Sequence, residues 1–320
     1  MQINLSKALL SFIALGQCHA AVTWRTIGCD GWTFKGVSID DIWDNANVMA
    51  ANAQTQISAI PTSPLGMTSS NAKNAGANAK FMFGINFNKV LGMNSAGRAT
   101  TTTANIMYTN IAKGLARTLT GPNNFNLNNA FLFCEANGLT KGTFPGNPYE
   151  QDVWFAQVTT NGVTEYLVPK FSAFALAVKP CTEKVPNAYQ ARTFYVDQII
   201  GQPAVATPFV AIILCPSQFE ASGLTAVPTL AQGFTTSGSA NPDQYISLSG
   251  TLVHEMVHVV GRSQGTQWAD VAYAFNECVN LANTEPATSL INPDNYRVFA
   301  EMSMSPVTKW TAKKPGAAAS

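Results

Sequence analysis

Apolar and polar positions fall into three regimes along the chain. From about Ser38 to Ile60 an Ala/Asn/Met-rich run predicts a helix packed closely against a neighbour. Asp40, Asp41 and Asp44 sit in its first turns, where the helix dipole favours acid. Residues 61–80 are rich in Ser, Asn, Pro and Gly and read as loop. A second helix is expected from about Thr102 to Leu119, closed by Gly121-Pro122. The middle of the chain turns to strand-forming residues, at Ala21–Ile27, Ala130–Cys134, Thr193–Val196 and Phe209–Leu214. Val153–Thr160 and Val163–Val168 flank Asn161-Gly162, a hairpin signal because both turn residues tolerate positive φ. The run Phe209–Leu214 is almost wholly apolar and is predicted to be central. Residues 222–247 form a Gly/Ser/Thr/Pro-rich connection to a last, helical third. Helices, then strands, then helices, without βαβ alternation, predict an α+β fold. No internal boundary is evident, so residues 21–310 are expected to form one domain, with 311–320 a disordered tail.

That last third carries the candidate chemistry. The chain has three histidines, and His19 lies in a leader-like segment. The others form one H-E-x-x-H motif, His254-Glu255-Met256-Val257-His258. On a helix, positions i and i+4 share a face one turn apart, so both imidazoles can bind one Zn2+ ion. Glu255 then sits beside the zinc ligands, placed to act as general base. The flanking Leu252, Val253, Met256, Val257, Val259 and Val260 suit a buried helix, with Ser247 or Ser249 as N-cap and Gly261 as stop.

A catalytic zinc site needs a third protein ligand. No further histidine is available, which leaves carboxylates, and Asp270 and Glu277 both qualify. Residues Asp270 to Leu281 read as one helix, which puts Asp270, Tyr273 and Glu277 on a common face. The sequence around Asp270 resembles the aspzincins, the deuterolysins and fungal peptidyl-Lys metallo-endopeptidases, whose H-E-x-x-H is followed by G-T-x-D-x-x-Y-G. Here Gly265-Thr266 precedes Asp270-Val271-Ala272-Tyr273, with a longer spacer and with Ala274 in place of the last glycine. Asn292-Pro293-Asp294-Asn295 with Phe299-Ala300 also resembles the family, as does Cys215-Pro216, and the likeness is strongest over 205–303. The resemblance implies a zincin-like plan, a small twisted sheet on the active-site helix. It also implies Asp270 as third ligand and Tyr273 as stabiliser of the oxyanion. In the lysine-specific relatives the residues matching Asp294 and Arg297 bind the substrate's lysine, and an arginine there is expected to repel it. Glu277 keeps open a gluzincin-type alternative.

Met1 to Ala20 combines Lys7, an apolar stretch from Ala8 to Leu15 and a small-residue end, the pattern of a signal peptide. The net charge is +1 with 12% charged residues, which argues against nucleic acid as a partner. No other segment is long and apolar enough to cross a membrane. Beyond the leader stand Cys29, Cys134, Cys181, Cys215 and Cys278, an odd set expected to pair with Cys278 left over. The expectation is a secreted, monomeric zinc endopeptidase acting on peptide or protein substrates. A catalytically inactive secreted binding protein of the same fold is the competing reading.

Overall fold

The computed structural model describes residues 23–63, 69–115, 129–170, 179–182, 189–201, 203–221, 226–230, 239–240, 242–263 and 268–311. The expected leader, Gly121-Pro122, Gly265-Thr266 and all but the first residue of the expected tail lie outside them.

In chain order the strands are β1 (Thr23–Ile27), β2 (Thr33–Phe34), β3 (Val37–Ser38), β4 (Phe87–Asn88), β5 (Gly92–Met93), β6 (Asn129–Cys134), β7 (Thr140–Gly142), β8 (Val153–Thr160), β9 (Val163–Lys170), β10 (Ala191–Ile200), β11 (Val205–Leu214), β12 (Ser239–Ala240) and β13 (Lys309–Trp310). The helices are α1 (Ile39–Ser58), α2 (Ser70–Phe83), α3 (Ser95–Leu115), α4 (Pro216–Ala221), α5 (Leu248–Ser263), α6 (Ala274–Thr284), α7 (Pro286–Ser289) and α8 (Pro293–Ser303). The fold is α+β, as expected, but its sheet is not small. Seven strands join in the order β1-β6-β11-β10-β9-β8-β7, with β1, β6 and β11 parallel and the others antiparallel. The apolar β11 is interior, as its composition predicts.

Period-two alternation gives this sheet two buried faces. Trp24, Leu132 and Ile212 point to the helices, while Phe131, Phe133 and Ile213 fill the opposite side. That second side is closed by curling. Arg25 of β1 makes a fully buried ion pair with Glu165 of β9, which also accepts from Gln198. In a flat sheet those strands would stand ~19 Å apart, beyond the reach of the two side chains. Cys29–Cys134 ties the ends of β1 and β6, and Cys181–Cys215 forms a second disulfide. Cys278 remains free and buried, as expected.

On the helical side α5 is packed among α1, α3, α8 and β10. Leu252, Val253, Met256 and Val257 are at most 1% exposed. Burying each contributes about 1.5–3 kcal/mol, which anchors the helix that bears the motif.

Three sequence expectations need correction. Part of the expected loop 61–80 is α2, N-capped by Ser69, whose Oγ accepts from Ala72 N. Its stability comes from close packing of small residues: a Cβ on Gly76 would lie 2.3 Å from the Phe87 ring. The second helix, α3, begins at Ser95 rather than near Thr102. The expected helix from Asp270 starts only at Ala274, because residues 268–273 are not helical and Tyr273 is extended. Asn292 holds them so: its Oδ1 accepts from Val271 N (2.9 Å) and Ala272 N (3.1 Å), and its Nδ2 donates to Ala272 O (2.9 Å). The junction falls at Ala274, with φ +62°. This left-handed conformation favours glycine by ~1 kcal/mol or more, so the departure from glycine noted in the sequence carries local strain.

Candidate active site

Helix α5 opens on Ser247, whose Oγ accepts from Gly250 N at 2.8 Å; of the two N-cap candidates in the sequence, Ser249 lies inside the helix instead. About two turns on, His254 and His258 present their rings on one face with centroids 5.2 Å apart. Gly261 does not stop the helix, which continues to Ser263. Instead it makes room for Trp268, since a Cβ there would lie 1.8 Å from the indole Cδ1. The returning chain thus lies directly on the last turns of α5 and delivers Asp270.

Asp270 Oδ1 stands 3.2 Å from His254 Nε2 and 3.1 Å from His258 Nε2. The three donor atoms lie within 4.8 Å of one another. Two imidazole nitrogens and one carboxylate are a donor set suited to zinc, with room for a further ligand. The electrostatics point the same way. Burial alone would lower the pKa of His254, but bonds to Asp270 and Asp294, with Glu255 nearby, push it up to about 10. Burial likewise opposes the charge on Asp270, yet the two histidines hold its carboxyl well below the usual range. The pocket therefore stabilises positive charge where a divalent cation would sit. Asp270 and Tyr273 are 34% and 53% exposed, so the site is open on that side.

Glu255 is 4% exposed, and its Oε2 accepts from Thr193 Oγ1 of β10 at 2.6 Å. Thr193 was not singled out in the sequence, where an alternating strand threonine carries no signal. The Tyr273 ring lies nearly parallel to His254, with centroids 6.1 Å apart and planes at 12°. Burial and the charge of Asp270 push its hydroxyl pKa above the ordinary value, so it stays protonated and can donate. Glu277 takes another task. It is exposed, and its Oε2 accepts from Tyr273 N at 3.0 Å, capping α6 outside the donor group. Cys278 is also outside that group, with its Sγ near Ala272 O and burial pushing its pKa up.

Asp294 and Arg297, expected to line a substrate pocket, are 3% and 5% exposed and lie behind His254. Arg297 Nε and NH2 donate to the two Asp294 oxygens at 2.6 and 2.8 Å. Asp294 Oδ1 also meets His254 Nδ1 at 3.1 Å, and Oδ2 accepts from Ala274 N at 2.6 Å. Although burial opposes it, Arg297 and His254 hold this carboxyl well below its usual range. The N-cap of α8 is Asn292.

The aspzincin family model, described as lysine-specific metallo-endopeptidase, matches residues 212–301, which contain α5, Asp270 and Asp294. The match supports the aspzincin assignment, and with it a zinc-dependent metallo-endopeptidase. No curated protein matches the chain.

Proposed function

From the premise that residues 212–301 carry an aspzincin metallo-endopeptidase segment, we propose that this protein is a secreted zinc endopeptidase. In this reading His254, His258 and Asp270 hold the ion, Glu255 is the general base and Tyr273 donates to the oxyanion. The observation that carries it is the approach of Asp270 Oδ1 to within 3.2 Å of both Nε2 atoms, beside a buried Glu255. When bound, zinc supplies an acidified water and polarises the scissile carbonyl. Glu255 takes the proton of the attacking water and passes it to the leaving amine. Thr193 fixes the carboxylate through Oε2, so the base need not reorient between the two transfers. Tyr273, protonated and half exposed at the mouth of the site, is placed to donate to charge developing on the substrate oxygen. The disulfides, and the leader-like Met1–Ala20, support an oxidising, extracellular setting.

Strict lysine preference is absent in this reading, for a reason other than the repulsion expected from sequence. Both Asp294 oxygens are already engaged by Arg297, His254 and Ala274, so no acceptor is left for a substrate ammonium. The test is a digest of a denatured protein, with cut sites mapped by mass spectrometry and with chelator and Glu255→Ala as controls. Cuts at varied residues that vanish in both controls are expected. Lysine after every cut would overturn the specificity argument. No cutting by protein that holds one zinc per chain would favour the non-catalytic binding protein instead.

A further inference from the structure

We propose that Arg297 is a positioning residue for the zinc site, acting through Asp294 on His254 and through Glu301 on the start of α5. The inference rests on the zinc reading above and goes beyond it, because Arg297, Asp294 and Glu301 lie outside the group of side chains that would hold the ion.

A chain of buried groups connects the outer edge of His254 to the first turn of its own helix. His254 Nδ1 meets Asp294 Oδ1 at 3.1 Å, which fixes the ring so that Nε2 faces Asp270. Arg297 grips Asp294 with two nitrogens, at 2.6 and 2.8 Å, so the carboxylate cannot rotate away from the imidazole. Its third nitrogen, NH1, reaches Glu301 Oε2 at 2.6 Å. The other oxygen of Glu301 accepts from Ser247 N at 3.2 Å and Ser247 Oγ at 3.1 Å. Ser247 is the N-cap of α5, and Gly250 in its first turn lets Glu301 approach, since a Cβ there would lie 2.1 Å from Oε1. Asp294, Arg297, Glu301 and Ser247 are all at most 5% exposed, so solvent does not screen the contacts.

Two requirements meet in this arrangement. The imidazole must keep Nδ1 as donor so that Nε2 is free for the metal, and a carboxylate on Nδ1 secures that tautomer. The helix must also stay in register with α8, because a shift along its axis would move His254 away from Asp294. Arg297 serves both, since one planar guanidinium holds the orienting carboxylate and the carboxylate that caps the helix.

The experiment measures zinc affinity by competition with a chromophoric chelator, at a temperature where circular dichroism shows each variant folded. The set is the unmutated chain, Arg297→Met, Arg297→Lys, Asp294→Asn and the double variant Asp294→Asn/Arg297→Met. Arg297→Met is expected to weaken zinc binding about ten- to a hundredfold, the usual range for a lost outer partner of a metal ligand. Arg297→Lys keeps the charge but loses the two-pronged grip, and is expected to fall between. If Arg297 acts through Asp294, the double variant binds zinc no more than a few times more weakly than Asp294→Asn alone. A merely structural arginine would give additive losses, which overturns the proposal. Zinc affinity within twofold of the unmutated chain in Arg297→Met overturns it too. Should Arg297→Met not fold, the same parent-like result in Arg297→Lys does so. Failure of the unmutated chain to bind zinc overturns the metallopeptidase reading, and the relay with it. One zinc per chain with parent-like variants removes the relay alone.

Discussion

Replacing Gly261 by alanine tests how the third ligand is delivered. In an isolated helix the change is favourable by ~0.8–1.0 kcal/mol. Here the added Cβ would stand 1.8 Å from Trp268 Cδ1, 2.0 Å from Nε1 and 2.4 Å from Cγ. Carbon atoms rest about 3.5–4.0 Å apart, so the indole must retreat by about 2 Å. It cannot do so freely, because Val271 and Ala272 are held by Asn292 and the ring packs edge-on to Tyr296, centroids 6.0 Å apart. Overpacking of this kind costs about 1–3 kcal/mol, which outweighs the helix propensity. The net expectation is a loss of up to about 2 kcal/mol in the metal-free protein. A second loss follows, since Trp268 is joined to Asp270 through one residue and carries it along. Zinc affinity should fall by about tenfold, which removes about 1.4 kcal/mol of the stabilisation that zinc confers. Thermal unfolding with and without zinc, together with chelator competition, measures both parts. A variant that melts higher than its parent and holds zinc equally well would refute the reasoning, because Gly261 would then be an ordinary helix residue.

Asp270→Ala should abolish stoichiometric zinc binding while Glu277→Ala retains it, measured by metal analysis after dialysis; the reverse result would restore the gluzincin-type site. Thr193→Val keeps the shape but deletes the hydroxyl that holds Glu255, and should lower kcat about tenfold with zinc content unchanged; unaltered kcat would remove Thr193 from the mechanism. Burial raises the pKa of Glu301 from 4.5 to about 7, although Arg297 and Ser247 oppose the shift. A raised pKa gives stability that is complete below the unfolded value and lost as pH rises through the folded one. Relative to the parent, Glu301→Gln should therefore gain up to ~3 kcal/mol between pH 4.5 and 7, read by denaturant titration. Parallel stability curves would contradict this.

His254, Glu255 and His258 are legible because helical spacing alone brings their side chains together. Asp270 is not, since Glu277 satisfies the same sequence criteria, and only the family resemblance separates them. The helix expected from Asp270 fails because the periodicity is local while its competitor is not: Asn292, far along the chain, captures the amides of Val271 and Ala272. Small-residue packing hid α2 in the same way, for the Ser, Asn, Pro and Gly of 61–80 read as loop unless a neighbour such as Phe87 is known to lie against Gly76. Arg297 was read by its charge alone, and burial reverses its meaning. A cation thought to face a substrate is instead satisfied internally by two carboxylates.

Asn292 also bears on how long the active site can last. Asparagines age when the backbone nitrogen of the next residue attacks the side-chain amide, closes a cyclic imide and leaves an acid behind. At Asn292 that acid would lose the Nδ2 donor to Ala272 O and bring a new negative charge against the segment that carries Asp270. The following residue, Pro293, has no N–H to lose, so its nitrogen is a poor attacker and the route is closed. The amide that holds the Asp270 segment in place is thus protected from deamidation by its neighbour, so the third-ligand position does not drift as the protein ages.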